Sequence, residues 1–379
     1  MLKNIDFNAL FEHIIDIILK RRRILNNLRM RDSYWDVVKG IGILSIVLGH
    51  ASLFTLEVHW YQIPIFFLVA GYLFKEDAVN NYENYFMKKI KSIWIPFCVY
   101  NMLFILMHNV FLYIGMYSLD NNTMFMTHYF NRYELVQQIV AVLLGGNLAI
   151  LCGPTWFIAY FMTGMLLFGL LVYVSRKFFY NEYQIILFIL VILCTILGFN
   201  LINKGMTLGL NSQIAMQLMI VMYAGMVMRK YDVLRSKFIY YSGIVSIFII
   251  YYAESENIFC RIIFGEFPNW ALGLFISFAA MHILLIFAKL ICKIKVVESV
   301  ISSIGRESYH IMALHLLGFK FFSLFLIMIG VVDYSILADF LYTKQEWLKY
   351  VYVLFSVMFS IFVIKLWRKI INRYFNKIG

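Results

Sequence analysis

A chain of 379 residues with 62% hydrophobic and only 14% charged residues cannot build the polar skin of a soluble globular protein, for which roughly a quarter of residues are charged. Its mean hydropathy of +0.78 points the same way, to lipid as the main solvent. The net charge of +12 would suggest nucleic acid on a soluble domain, but cytoplasmic loops of membrane proteins accumulate Lys and Arg as a matter of course. Lipid admits only helices or closed barrels. The chain shows continuous apolar runs rather than short alternating strands, so the expected fold is all-α: a polytopic membrane helix bundle of about ten transmembrane helices.

Residues 1–30 hold the apolar patch Ile14 to Leu19, interrupted by Asp16 and followed by Lys20-Arg21-Arg22-Arg23. This charge order is the reverse of a signal peptide. It reads as a basic amphipathic segment on the inner leaflet, with a disordered leader as the alternative, and residues 31–379 as the transmembrane domain. Ten spans are expected at 36–56, 59–75, 93–114, 154–174, 183–201, 212–228, 238–253, 270–288, 308–330 and 348–366. Residues 135–151 are also apolar but end in Gly145-Gly146-Asn147 before Pro154, as a re-entrant or interfacial helix would. With the N-terminus inside, and the span-end residues Lys75, Lys349 and Lys365 counted with the sides they border, 26 of the 33 Lys and Arg fall on the inner side and five on the outer, leaving Lys39 and Lys320 deeper within spans. That asymmetry predicts both termini in the cytoplasm. The five cysteines, Cys98, Cys152, Cys194, Cys260 and Cys292, form no CxxC pair, and no metal or nucleotide motif is present.

Ionisable groups inside spans are costly, and are therefore candidates for function. The first span holds Asp36, Lys39 and His50. Eleven residues make almost three helical turns, so Lys39 and His50 share one face about 16 Å apart. Asp36 is one turn from Lys39 and can pair with it. An interfacial cap at Asp36, a snorkelling Lys39 and a hydrogen-bonded packing His50 are the competing structural accounts. Pro64 near the start of the second span frees a backbone carbonyl, or is an ordinary first-turn proline. The basic run Lys88-Lys89-Ile90-Lys91 suits phosphates, and positive-inside charge explains it equally well. Ser308 and His315 lie seven residues apart on one face of the ninth span. Trp156 opens the fourth. Lys320, His282, His108 and His128 have no role visible in sequence.

Arg31-Asp32, then Asp36-x-x-Lys39-Gly40, then Gly49-His50 resembles the first-span signature of the membrane acyltransferase-3 family. Pro64-Ile65-Phe66-Phe67 with Gly71-Tyr72 resembles its second-span motif, and Lys89-Ile90-Lys91-Ser92-Ile93-Trp94-Ile95-Pro96 its basic motif. Trp156-Phe157-Ile158 and Ser308-x-x-Ile311-x-x-x-His315 resemble later blocks. Two positions depart: Gln62-Ile63-Pro64 stands where the family often has His-Met-Pro, and Ala70 where it often has Ser. Gln62 can hydrogen-bond but cannot shuttle a proton.

The resemblance implies an O-acyltransferase in a bacterial cell membrane, moving an acyl group, commonly acetyl from acetyl-CoA, to a hydroxyl of a surface or lipid-linked glycan. It implies a catalytic set of His50, Asp36 and Lys39, with His50 as general base or acyl acceptor. Arg31, Lys88, Lys89 and Lys91 would meet the CoA end. Gln62, Trp156, Ser308 and His315 would meet the acceptor, and no metal is expected. The expected partners are acyl-CoA, the glycan acceptor and membrane lipids, with a homo-oligomer allowed and no nucleic acid. A glycan transporter or flippase using the same polar stripe is the rival reading.

Overall fold

The computed structural model describes residues 33–120, 123, 125–146, 148–261, 269–341 and 345–375, the side chains of the last two residues excepted. The amphipathic segment expected at 1–30 and the candidate Arg31 lie outside these residues. Helix α1, Ser33–His50, is the polar-bearing first helix. Val37, Val38, Ile43 and Val47 on it are fully buried, so protein surrounds it rather than lipid. Ser52 and Phe54 take left-handed φ values of 57° and 52° and turn the chain into a single-turn helix α2, Thr55–His59.

Helix α3, Pro64–Tyr72, starts with its proline in the first turn, where a missing N–H costs nothing. Nine residues reach only about 14 Å, half a hydrocarbon core. The second expected span, 59–75, is therefore a half-length helix with seven of its residues buried in protein.

The third expected span, 93–114, starts earlier. Helix α4, Tyr82–Lys89, runs through a π-turn at Ile90–Trp94 into α5, Ile95–Leu106, as one apolar rod from Tyr82 to Leu106. Pro96 explains the π-turn: it has no N–H for the Ser92 carbonyl and its ring crowds that group, so the turn widens. Helix α6, His108–Tyr113, follows.

Helix α7, Arg132–Leu143, opens on a capping box in which the Asn131 side chain and Glu134 exchange bonds with each other's backbone N–H. The Asn131 N–H, with His128 beside it, holds the Glu134 carboxyl below the usual carboxylate range. At about 18 Å, α7 is too short to span, as expected for residues 135–151.

Helix α8, Trp156–Phe178, enters through a 3-10 turn at Ile150–Thr155. Then come α9, Tyr183–Asn203, and the pair α10, Ser212–Gln217, and α11, Met219–Lys230. The break between α10 and α11 is bent by 53°. Next are α12, Phe238–Ser255, α13, Trp270–Ile291, and the short α14, Lys295–Arg306. Helices α15, Ser308–Met328, and α16, Glu346–Phe375, complete the order.

Seven helices among the described residues are long and apolar enough to cross a membrane, eight if the bent pair is one span. The protein is a multi-pass membrane helix bundle. The expected count of ten, and the sides of the termini, rest on the charge pattern.

Two glycine crossings set the interior. A Cβ on Gly71 of α3 would fall on the Met222 carbonyl of α11, and one on Gly225 of α11 on the Leu68 carbonyl of α3. A Cβ on Gly40 of α1 would meet the Ile301 carbonyl of α14, and one on Gly305 of α14 the Asp36 carbonyl of α1. Small residues let backbones approach where no hydrophobic force drives helices together in lipid. Helix α1 thus lies directly against α14, with its polar residues held in a fixed register.

Candidate active site

Asp36 and Lys39 form an ion pair one turn apart on α1, Nζ to Oδ1 at 2.7 Å. Asp36 is only 2% exposed, and an ion buried to that degree is tolerable only when paired. Lys39 also looks into a cavity of about 470 Å3 between α1, α3, α4, α8 and α15. Its walls are mainly apolar, and three cations line it: Lys39, Lys75 and Lys89.

The helical form of residues 82–94 decides which lysines face the cavity. Tyr85, Lys89 and Ile93 recur every four residues and line it together, as one face of a helix must. Lys88 and Lys91 are exposed and form no part of the wall. Of the three described lysines expected to meet CoA, Lys88, Lys89 and Lys91, Lys89 alone is among the lining residues. Lys75 was missed, since in sequence it is a single lysine at the end of an apolar run. Ala70, where the family often has Ser, lines the cavity too, as do Ser308 and Met312 of α15.

At the far end of α1, His50 meets His315 of α15, ring centroids 5.1 Å apart. His315 is fully buried. Its Nδ1–H donates to the carbonyls of Ile311 at 2.9 Å and Met312 at 3.1 Å, both acceptors, which sets the tautomer. The lone pair is then on Nε2, a buried atom without a hydrogen-bond partner among the described residues. Met312, at the cavity wall, is one turn before His315, so the cavity stops one helical turn short of the imidazole pair. Gln62 is close by: a Cβ on Gly49 would meet its Oε1 at 3.3 Å.

Trp156 is not brought into this group. It is half-buried and packs on Tyr160, centroids 5.1 Å apart. Other described histidines have local work. His282 Nε2–H donates to the Ile239 carbonyl at 3.0 Å, leaving Nδ1 to accept from Ser246 at 2.8 Å, a clamp between α12 and α13. His108 stacks on Phe130 at 3.6 Å and bonds the His128 carbonyl. No group of three His, Cys, Asp or Glu that could hold a metal occurs among the described residues.

The bundle thus holds a buried imidazole pair and, one turn away, an apolar cavity lined by three lysines. A family model described as an acyltransferase domain, acyltransferase-3, matches residues 32–373. The chain belongs to that family and is a membrane acyltransferase. No curated protein and no solved structure matches it significantly.

Proposed function

We propose that the protein is an O-acyltransferase that passes an acyl group, acetyl in the first instance, from acyl-CoA to a hydroxyl of a surface or lipid-linked glycan. The observation that carries this reading is the placing of the two sites on one helix: Lys39 on the cavity and His50 against His315, about 16 Å apart along α1. The anionic end of CoA docks at Lys39, Lys75 and Lys89, and its thioester arm runs along the apolar wall towards Met312. The acceptor enters from the His50 end, in a bacterial cell membrane from outside.

In the direct route the acceptor oxygen attacks the thioester carbonyl while its proton passes to the His50 imidazole. The C–S bond breaks, and the thiolate takes that proton to leave as CoA. A neutral imidazole has a free ring nitrogen and can take that proton in the transition state. The Nε2 of His315 accepts a hydrogen bond from a neighbouring hydroxyl of the acceptor and so orients the one that reacts. If His50 instead takes the acyl group first, the kinetics become ping-pong.

The test is purified protein in nanodiscs with radiolabelled acetyl-CoA and glycan. Label should move to glycan in the wild type. Glycan counterflow into vesicles without CoA, and no turnover of acetyl-CoA, would replace the enzyme by a transporter.

The lysines give a separate expectation. Lys89→Met should raise KM for acetyl-CoA about tenfold at unchanged kcat, since a charge-assisted hydrogen bond is worth roughly 1.5–3 kcal/mol. Lys88→Met should leave both constants at the wild-type value. Equal effects of the two substitutions in steady-state assays would place CoA elsewhere.

A further inference from the structure

Lys320 is absorbed by none of the chemistry above. It sits five residues after His315 on α15 and is fully buried. A buried lysine is expensive in a membrane bundle, and such residues are kept where they do something. Its ammonium donates to the carbonyls of Leu337 at 2.7 Å and Asp339 at 2.6 Å. The same ammonium stands over the Phe125 ring, 4.1 Å from its centroid. Lysine has three N–H donors and no acceptor, and here they meet two carbonyls and a π-face.

What it binds is the segment that follows α15. The short 3-10 turn Tyr334–Ala338 is also tied at its start, where the Tyr334 hydroxyl donates to the Ile114 carbonyl at 2.5 Å. The next residue after Lys320's second carbonyl is Phe340. Its ring stacks on Phe125 at 5.6 Å with 13° between planes, meets the edge of Phe319 at 5.9 Å, and lies 6.0 Å from the His50 ring. Phe319 in turn packs edge-on to His315. Two distant loop segments, around Phe125 and around Phe340, are thus gathered by one ammonium into an aromatic roof beside the imidazole pair. It lies at the end of α1 away from the lysine-lined cavity.

We propose that Lys320 is a positioning residue for the transfer reaction: by pinning the 334–341 segment it holds Phe340 over His50, shielding the imidazole pair from water on the acceptor side. This rests on the acyltransferase mechanism proposed above. A thioester next to an activated hydroxyl has two fates. Attack by an acceptor hydroxyl gives the acyl ester and CoA. Attack by water breaks the same C–S bond, places the acyl group on the water oxygen and yields the free acid and CoA. The roof selects the first by leaving room for an acceptor that packs against an aromatic face, as the C–H face of a sugar does, and no room for bulk water.

The test has two arms. In the first, His50→Cys is introduced into the full-length protein in nanodiscs, and its labelling by a charged maleimide is followed by mass spectrometry. Adding Phe340→Ala or Lys320→Met should raise the labelling rate about tenfold, because each opens a segment held by charge-assisted or aromatic contacts. In the second, acetyl-CoA hydrolysis to acetate is measured with His50 intact. Phe340→Ala should raise hydrolysis by a similar factor, with KM for acetyl-CoA unchanged, since Phe340 is not among the residues that line the donor cavity. Phe340→Ala leaves the buried cation in place, so it reports even where Lys320→Met fails to fold. Unchanged labelling with Phe340→Ala overturns the roof whatever the activity. Increased labelling, with no acetyl-CoA consumed by any form, keeps the roof as a cover and overturns both the acyltransferase mechanism and the role of the roof in it.

Discussion

His50→Ala is expected to lower acyl transfer about a thousandfold while leaving acetyl-CoA binding unchanged. The fold should survive, because His50 ends its helix and is only half-buried. Removing a general base typically costs a factor of 10²–10⁴. His315→Ala should cost less, about a hundredfold, since on this mechanism it orients the acceptor through a neighbouring hydroxyl and takes no proton. The two losses should not add: once His50 is gone, a correctly placed hydroxyl has no base to use, so the double variant should resemble His50→Ala. Initial rates of label transfer, with a thermal-shift measurement of CoA binding for each variant, check all three. A His50→Ala protein that folds and transfers at the wild-type rate would remove the imidazole from the mechanism.

Gly305→Val is expected to destabilise the protein more than other single changes outside the imidazole pair. A Cβ at this position lands on the Asp36 carbonyl and lies 2.7 Å from the Gly40 nitrogen. Neither neighbour is a side chain that can swing away, so α14 has to move off α1. Overpacking costs typically 1–3 kcal/mol and more when backbones collide, so about 3 kcal/mol is expected. The same movement takes Asp36 and Lys39 with it, so the KM for acetyl-CoA should rise in whatever fraction folds. The comparison is Gly153→Ala, at a glycine with nothing within 4 Å of the added carbon. It should stay within about 0.5 kcal/mol of wild type, as ordinary substitutions away from packed features do. Melting curves of the two variants in the same detergent decide this. Coincident curves would mean that the α1–α14 crossing is looser than described.

Much of the candidate site was legible from spacing alone. Asp36, Lys39 and His50 sit on a single helix, and helical geometry applies to any three residues on such a rod. The Asp36–Lys39 pair is therefore where the spacing places it. His315 was legible only as an oddity, a second histidine in an apolar run. Its meeting with His50 joins residues 265 positions apart, which no local pattern contains. Lys88, Lys89 and Lys91 show a limit of composition. A basic run has no direction until its backbone is known, and the helix that carries Tyr85 and Lys89 one turn apart decides that Lys89 lines the cavity while Lys88 and Lys91 do not. Neither the place of Lys75 on the cavity nor the bonds of Lys320 to the Leu337 and Asp339 carbonyls could be read from sequence, because a lysine in a loop and one binding backbone carbonyls read alike.

The sequence by itself determined the solvent, the helical class, the family and the polar face of the first helix. All of these follow from composition, from periodicity or from motifs held within one segment. Tertiary structure alone decided which helices cross at glycine, which lysines share a cavity, that the second apolar run is a half-length buried helix, and that two histidines from opposite ends of the chain face each other. The physical reason is that lipid selects helices for their own hydrogen bonding and apolar surface, properties a segment carries alone. The choice between helix neighbours rests on close packing and a few polar contacts, properties that exist only once both partners are in place.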